Sequence, residues 1–444
     1  MDGGRLWLGP HSPPWGCSGL AAWATARIPR RTSPSSFRTG FKDNSVLFLS
    51  SDDSIFLLFV SPGKAAENLL VESNLAKARG DLDRAIVCIE EAITLAGELQ
   101  PLLLNRAGLL RESRQFASAL QTLDRLLGLY PYSVDGHLAE GFIRMLMGDW
   151  DRGWRKREWR WNHPHFRKLM PPQLPVWDGS SALQSRLWVV LEQGFGDFIQ
   201  FSRLLPEIRN RVGEVIVRVP KALMSMARCS FPQIKWVEES EVPIADCWVG
   251  LMSLPERLRL QPDQVTGADG YLKIPFDRLQ NEAPSHGDLR IGLVHAGNSG
   301  HANDRFRSMS VEALSGLAEI PGVRWCQVQP EVRDANRLPM KLESPPFPLK
   351  DFAATALWIQ SLDLVLSVDT SVAHLAGALG IPVWILLPYA PDWRWGVHGV
   401  ESIWYRSARL FRQPRPLDWA AVLQDVRGQL PAFKAARHGN TFQS

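Results

Sequence analysis

Residues 367–380 read SVDTSVAHLAGALG, and they decide the fold of this 444-residue chain. They directly follow the apolar run 362–366, which predicts a buried parallel strand, and their small residues open a short helix. Asp369, Thr370 and Ser371 fall at the N-terminus of that helix, where unpaired backbone N–H groups and the helix dipole favour a bound phosphate. The next apolar run, 381–387, predicts another strand. This order is typical of an α/β domain that binds a nucleotide diphosphate, although an ordinary turn with an Asp cap fits it equally well.

Three further blocks accompany this stretch: EQGFGD at 192–197, AGN at 296–298 with HANDRFRS at 301–308, and PYAPDWRW at 388–395. With these four blocks in order, the chain from about Leu187 to Leu430 resembles glycosyltransferase family 9, the ADP-heptose:lipopolysaccharide heptosyltransferases. More narrowly, it is similar to bacterial proteins that fuse tetratricopeptide repeats to such a domain. The resemblance implies a GT-B transferase of two Rossmann-like, doubly wound lobes, whereas the pattern alone supports two α/β halves.

The composition excludes several classes of protein. Hydrophobic residues make up 45% and charged residues 22%, which is typical of a chain that buries a full core. A net charge of +4 is too mild for a dedicated nucleic-acid binder. Five scattered cysteines without a Cys-x-x-Cys pair fit a reducing compartment. The apolar run 46–60 is interrupted by acidic residues and is too short to span a membrane. We expect a cytoplasmic protein, with peripheral association at the inner membrane face left open.

A 34-residue period precedes the transferase-like region. The turns at Gly80, Arg114 and Gly148 are 34 residues apart, and the small residues Ala85, Ala119 and Gly153 keep the same spacing. Thirty-four is the tetratricopeptide period, so the sequence predicts about three such repeats, with another array of helical hairpins as the alternative. The sequence predicts five segments. They are a disordered or non-native extension (1–64), the repeats (65–168), an acceptor lobe (169–285), a donor lobe (286–430) and a flexible tail (431–444).

The last repeat ends in tryptophans mixed with basic residues, from Trp150 to Trp161. Interleaved aromatic and basic side chains can bind single-stranded nucleic acid. We favour a capping helix instead, whose Trp face packs on the next domain while its Arg face is solvated.

Asp197 is the candidate catalytic residue. It follows the glycine pair Gly194 and Gly196 at the carboxyl end of a predicted strand. Inverting sugar transfer needs a carboxylate that removes a proton from the acceptor hydroxyl, and the resemblance places the general base of the family here. Capping of the helix is the alternative role, and one residue can do both.

Arg305 and Arg307 are the candidate phosphate ligands. The diphosphate leaving group gains charge as the glycosidic bond breaks, and a preorganised cation stabilises it. The family usually carries a lysine in this segment; Arg307 corresponds best to it and can hold phosphate in a bidentate manner. Two surface arginines are the alternative. Asn298 follows a strand and is expected to contact the nucleotide or to form the turn.

The remaining candidates for donor binding are His374, Asp392 and Trp393. His374 lies one helical turn after Thr370, and a core histidine is equally compatible with that position. Trp393 or Trp395 could stack on a base or sugar, or lie in the core. Asp-x-Asp, typical of metal-dependent transferases, occurs at Asp81-Leu82-Asp83 and at Asp149-Trp150-Asp151, in the turns of two repeats. We therefore predict no metal and no cofactor.

These features together predict an inverting, metal-independent glycosyltransferase. It would use a nucleotide-diphosphate sugar, heptose-like or another hexose, and a glycan or protein acceptor, while its repeats recruit the acceptor or a protein partner. The alternative is a non-catalytic interaction module with a degenerate nucleotide-sugar-binding domain.

Overall fold

The computed structural model describes residues 62–277, 279, 288–300 and 303–439. The disorder expected for 1–64 therefore concerns residues that lie almost wholly outside the described ranges. The chain divides into two compact units, with the boundary between Glu140 and Gly141. Within the described ranges, no helix combines the length and apolar character needed to cross a membrane.

The first unit is helical. Its Gly80 and Arg114 turns are both left-handed, with φ of 83° and 61°, and they keep the 34-residue spacing. The spaced small residues Ala85 and Ala119 are completely buried. Ser73 donates a hydrogen bond to the Ala85 carbonyl at 2.8 Å, which ties the first two helices together. The helices are α1 Pro62–Ala78, α2 Leu82–Ala96, α3 Gln100–Glu112, α4 Phe116–Leu129 and the first part of α5 Val134–Leu146.

The second unit, from Gly141 onward, is α/β. Its strands are β1 Ala182–Val190, β2 Val212–Val219, β3 Lys235–Glu238, β4 Cys247–Gly250, β5 Leu289–Val294, β6 Val323–Gln327, β7 Leu364–Val368, β8 Val383–Leu387 and β9 Ala408–Arg412. Its helices are α6 Trp150–Arg157, α7 Pro164–Arg167, α8 Phe195–Phe201, α9 Leu205–Arg209, α10 Lys221–Ser230, α11 Leu254–Arg257, α12 Asp304–Arg307, α13 Ser315–Ala318, α14 Phe352–Ile359, α15 Ser371–Ala378 and α16 Trp419–Gly439.

The strands form two parallel sheets. The first has the order β3-β2-β1-β4 and the second the order β6-β5-β7-β8-β9. β4, β7 and β8 are buried along their whole length, as expected for parallel strands covered on both faces. The two predicted α/β halves therefore each contain a parallel sheet.

Aromatic side chains fill the space between α6 and the two sheets. Trp150 stacks on Trp404 at 5.2 Å between ring centroids, and Trp154 meets Trp393 edge-on at 5.1 Å. Phe201, from the end of α8, lies 6.0 Å from Trp154. We call these five residues the aromatic cluster. The repeats were expected to extend to 168, whereas the second unit begins at Gly141 and includes α6.

The arginines of this segment correct the expectation of a solvated Arg face. Arg152 and Arg155 are exposed, but Arg157 and Arg160 are buried. Arg160 forms ion pairs with Glu158 at 2.5 Å and with Glu192 at 2.9 Å, so its charge is compensated inside the protein. The predicted flexible tail is also wrong up to Gly439, because α16 continues through Pro431 and Phe433 packs on Trp384 at 5.5 Å.

Candidate active site

The direction of the strand order changes at β5 in the second sheet, and we call the space between the loops after β5 and β7 at its carboxyl edge the crevice. The chain passes from β5 to β6 on one side and then returns to form β7 on the other side of β5. The loops after β5 and β7 therefore lead away from each other. Open parallel sheets bind ligands at the carboxyl ends of such a pair of strands. The first loop carries Gly297 and Asn298, and the second carries Asp369 and Thr370.

Gly196 allows α8 of the first sheet to approach α15 of the second. A Cβ atom on Gly196 would lie 3.1 Å from Cδ2 of His374 and 3.6 Å from the Ser371 Cα. A larger side chain would push the two helices apart. Three predicted site residues, Gly196, Ser371 and His374, are thus brought together by close backbone packing.

Asp197 lies in the first turn of α8 and has two partners. Its Oδ2 accepts a hydrogen bond from the Gly194 N–H at 3.0 Å. Its Oδ1 forms an ion pair with Arg394. The side chain is still 22% exposed. Asp197 therefore caps its helix and also faces residues from the second sheet, so the two roles expected for it are compatible.

Arg394 was missed in the sequence analysis. Besides Asp197, it donates hydrogen bonds to Asp392 at 2.8 Å and to Gln200 at 2.6 Å. Burial lowers the pKa of Arg394, but the charges of Asp392 and Asp197 outweigh it and the pKa is raised. Burial raises the pKa of Asp392, but the charge of Arg394 has the larger, opposite effect, so the pKa of Asp392 is lowered. The signal in the sequence was an arginine between two tryptophans, two positions after the candidate carboxylate Asp392.

The Arg307 side chain contacts the backbone of both loops, at Gly297 after β5 and at Asp369 after β7. Its Nη1 donates a hydrogen bond to the Asp369 carbonyl at 3.1 Å, and its Nε lies 3.6 Å from Oδ1 of Asp304. A Cβ at Gly297 would lie 2.6 Å from Nη2 of Arg307, so glycine makes this contact possible. A second cation that was not predicted, Arg333, pairs with Asp304 at 2.8 Å and donates to the Gly297 carbonyl at 2.5 Å.

Asn298 and Arg305 lie further out. Oδ1 of Asn298 accepts a hydrogen bond from the Gly300 N–H at 2.9 Å, which is the turn-forming role considered for it. Both side chains are exposed. Of the two predicted phosphate ligands, Arg307 is the one that lies in the crevice wall.

The N-terminus of α15 is open. Thr370 is its N-cap residue, but its hydroxyl lies 3.1 Å from the Ser367 hydroxyl and makes no capping hydrogen bond among the described residues. The first N–H groups of the helix are thus left for another acceptor. Burial, followed by the charge of Asp392, raises the pKa of the adjacent Asp369 to about 6, against the opposing effect of Arg307.

His374 is a buried neutral group. Its Nδ1 lies 2.9 Å from the Tyr405 hydroxyl, and its Nε2 lies 3.8 Å from Oδ1 of Asp369. The ring stacks on Trp395 at 5.2 Å. Burial, followed by the charge of Arg394, lowers the pKa of His374 to about 3. The imidazole is therefore a neutral group that is held by Tyr405, and its Nε2 faces Asp369 beyond hydrogen-bonding distance.

Trp393 departs from the role expected of it. Its side chain is only 2% exposed and packs inside the aromatic cluster. No ring face is left for a sugar or base, so Trp393 belongs to the core that supports the site. Within the described ranges, no group of three or more His, Cys, Asp and Glu side chains has the arrangement of a metal site. Metal independence stays a prediction.

The chain has distant relatives. No family model matches it. Protein FlbA of Caulobacter vibrioides is 23% identical over 413 residues, which cover 80% of this chain and 65% of that protein.

The similar solved structures include three glycosyltransferases. A glycosyl transferase family 9 protein of Veillonella parvula is 10% identical, with a TM-score of 0.41 over 57% of this chain and 99% of its own. The O-GlcNAc transferase of Thermobaculum terrenum is 13% identical, with a TM-score of 0.27 over 85% and 94%. The iron-containing dodecameric glycosyltransferase TibC of enterotoxigenic E. coli is 14% identical, with a TM-score of 0.35 over 59% and 78%. At these TM-scores, the likeness decides neither the fold nor the activity of this chain.

Proposed function

We propose that this chain is a glycosyltransferase that moves a sugar from a nucleotide-diphosphate donor to a glycan or protein acceptor, with inversion and without a metal. The observation that carries the proposal is the meeting of α8 and α15 at Gly196. It brings a carboxylate from the first sheet to a crevice that has a cation and an open helix N-terminus on the second. Those are the groups that a sugar transfer from a diphosphate needs.

The proposed reaction assigns a role to each group. Asp197 accepts the proton of the acceptor hydroxyl while its oxygen attacks the anomeric carbon from the face opposite the leaving group. The bond between that carbon and the diphosphate oxygen breaks, and the nucleotide diphosphate leaves with the electron pair. Arg307 and the N–H groups of Ser371 and its neighbours stabilise the growing charge. Asp369 and His374 hold donor hydroxyls.

The helical first unit is assigned a recruiting role. An array of helical hairpins presents an extended surface suited to a polypeptide or glycan-bearing partner. The donor sugar closest to the resemblance is a heptose, and the acceptor is a glycan or a protein.

We expect Asp197→Asn to abolish turnover while donor binding is retained. The amide still accepts the hydrogen bond from Gly194, so the helix cap survives, but it cannot take up a proton. Release of nucleotide diphosphate from a panel of nucleotide sugars, with binding measured in parallel, checks this. A loss of at least 100-fold in turnover is expected.

The matched control is Asp351→Asn, because Asp351 also caps a helix, by accepting from the Ala354 N–H at 2.7 Å. It should leave turnover unchanged. Turnover retained in Asp197→Asn would remove Asp197 from the mechanism. Donor binding without turnover in the wild type, with every acceptor tried, would favour the non-catalytic interaction module.

We expect Arg307→Ala to weaken nucleoside diphosphate binding about tenfold or more, because the charge-assisted contact with phosphate is lost. A thermal-shift panel of nucleoside diphosphates, with and without magnesium, identifies the base and tests the need for a metal. Arg427→Ala, at an exposed position on α16, is the control and should bind like the wild type. Equal binding by Arg307→Ala would contradict the assigned role.

A further inference from the structure

Arg157 is a buried cation at the end of α6. The residue is 8% exposed. Its aliphatic stem runs beneath Gly141, where an added Cβ would lie 3.3 Å from Cγ of Arg157. Its guanidinium carbon lies 5.8 Å from the centroid of the Trp393 ring. The side chain of Arg157 therefore passes α5 at Gly141 and reaches toward the group formed by Asp197, Asp392 and Arg394.

Among the described residues, the Arg157 side chain has no hydrogen-bond partner. A guanidinium carries five N–H donors, and buried donors in proteins are normally satisfied. The Nε of Arg157 is buried without a partner, and within the described ranges its side chain forms no ion pair. The Nε of Arg160 is also without a partner, but the two neighbouring arginines are ion-paired, Arg160 with two glutamates and Arg394 with two aspartates. A partner from outside the chain would account for the difference.

The charges around Arg157 leave it protonated. Burial, followed by the charges of Arg394 and Arg160, lowers its pKa to about 10, while Asp392 and Asp197 act in the opposite direction. Arg157 is therefore a cation at neutral pH. The two aspartates that face it are already shared with Arg394, which reduces their repulsion of an incoming anion.

We propose that Arg157 binds an anionic oxygen group of a substrate, phosphate or carboxylate, beside Asp197. The planar fork of a guanidinium matches two oxygens of such a group. The anion can come from two sources, the diphosphate of the donor or a charged group on the acceptor. The inference deepens the proposed function and rests on it for the origin of the ligand. In this arrangement α6, sequence-related to the repeats, supplies a binding residue to the transferase site.

Calorimetric titration with pyrophosphate tests this on the full-length protein, once alone and once saturated with ADP. We expect Arg157→Met, which keeps the length of the side chain, to weaken pyrophosphate binding at least tenfold. The matched control is Arg155→Met, on the same helix, whose side chain is 59% exposed and paired with Asp151. It should stay within twofold of the wild type. If ADP displaces the pyrophosphate that depends on Arg157, the donor is the source; if that binding persists, the acceptor is.

The melting temperature gives a second readout. Arg157→Met removes a buried charge with unsatisfied donors, so the ligand-free variant should be at least as stable as the wild type. If it does not fold, Arg157→Lys is titrated instead; it loses the fork and should bind several-fold more weakly. The proposal is overturned if the variant that is titrated, Arg157→Met or Arg157→Lys, binds pyrophosphate as tightly as the wild type. ADP binding that needs Arg307, together with pyrophosphate binding that does not need Arg157, overturns this inference alone, whereas pyrophosphate binding through Arg157 without any ADP binding overturns the proposed donor.

Discussion

Asp369 places a titratable charge next to the proposed diphosphate position. Burial raises its pKa to about 6, so the carboxyl is neutral below that pH and negative above it. A negative Asp369 repels a nucleoside diphosphate, and a neutral one does not. We expect Asp369→Asn to bind the diphosphate several-fold more tightly than the wild type at pH 7.5 and equally at pH 5.

Affinities measured by calorimetry across this pH range check the prediction. The diphosphate itself titrates near pH 6, but that change is common to both proteins and cancels in their ratio. A ratio that does not change with pH would mean that Asp369 keeps one protonation state throughout. Asp363→Asn is the control, since Asp363 lies at the other end of β7 and should show no pH-dependent ratio.

Short-range motifs predict some site residues and cannot predict others. Asp197 and Arg307 follow from blocks of the sequence that resemble a family. Arg394 is 197 positions away from Asp197, and no local pattern expresses their ion pair. The pKa of His374 likewise depends on burial and on the distant Arg394, which only the folded chain supplies. Trp393 was placed in the site because a motif does not tell a ring that stacks on a ligand from one in the core.

The 34-residue period is also found in the backbone conformation, because the turns between helices have a positive φ at the same spacing. Gly148 has a φ of 84°, like Gly80 with 83°, and an added Cβ there would have open space around it. Any effect of a methyl group would thus come from the backbone conformation alone. We expect Gly148→Ala to lower the free energy of unfolding by about 1 kcal/mol, measured by chemical denaturation.

The equivalent turn at Arg114 supplies the reciprocal test. Arg114 is left-handed with a φ of 61° although it is not glycine. Arg114→Gly should relieve that strain and leave stability unchanged or higher, after the entropy of the unfolded chain and the lost contacts of the side chain are counted. Gly128→Ala, within α4 and without nearby atoms, is the control that should not destabilise. A destabilising Arg114→Gly would show that side-chain contacts outweigh the turn.

Which strands could be predicted follows from their burial. β7 and β8 are continuous apolar runs, because both faces of a central parallel strand are covered. β3 and β9 are edge strands of their sheets and carry charged residues, so no apolar run marks them and they were not predicted. The end of α16 was missed because Pro431 usually ends a helix; here the packing of Phe433 on Trp384 outweighs the lost hydrogen bond.

At the scale of the molecule, the aromatic cluster joins α6 to both sheets of the second unit. Phe201 is the last residue of α8, which follows β1 of the first sheet, whereas Trp393 and Trp404 belong to segments that follow β8 of the second sheet. Trp154 lies between them and is 1% exposed. The high tryptophan content of the chain, 18 residues, is partly explained by this cluster. It holds the two sides of the proposed site at a fixed separation, which favours a preorganised site.

Trp154→Ala should therefore weaken both sheets at once. Truncation of a buried tryptophan costs about 3–5 kcal/mol, and the loss here removes contacts to both halves. Hydrogen exchange measured by mass spectrometry should reveal faster exchange in β1 and β2 and also in β7 and β8. The matched control is Trp236→Ala, because Trp236 packs only on Phe198 and Phe231 among its described ring contacts, on the side of the first sheet. That variant should accelerate exchange mainly in β1 and β2. If Trp154→Ala affects a single sheet, the two halves are coupled by other contacts, such as the bonds of Arg203 to the Thr266 and Trp404 carbonyls at 3.1 and 2.9 Å.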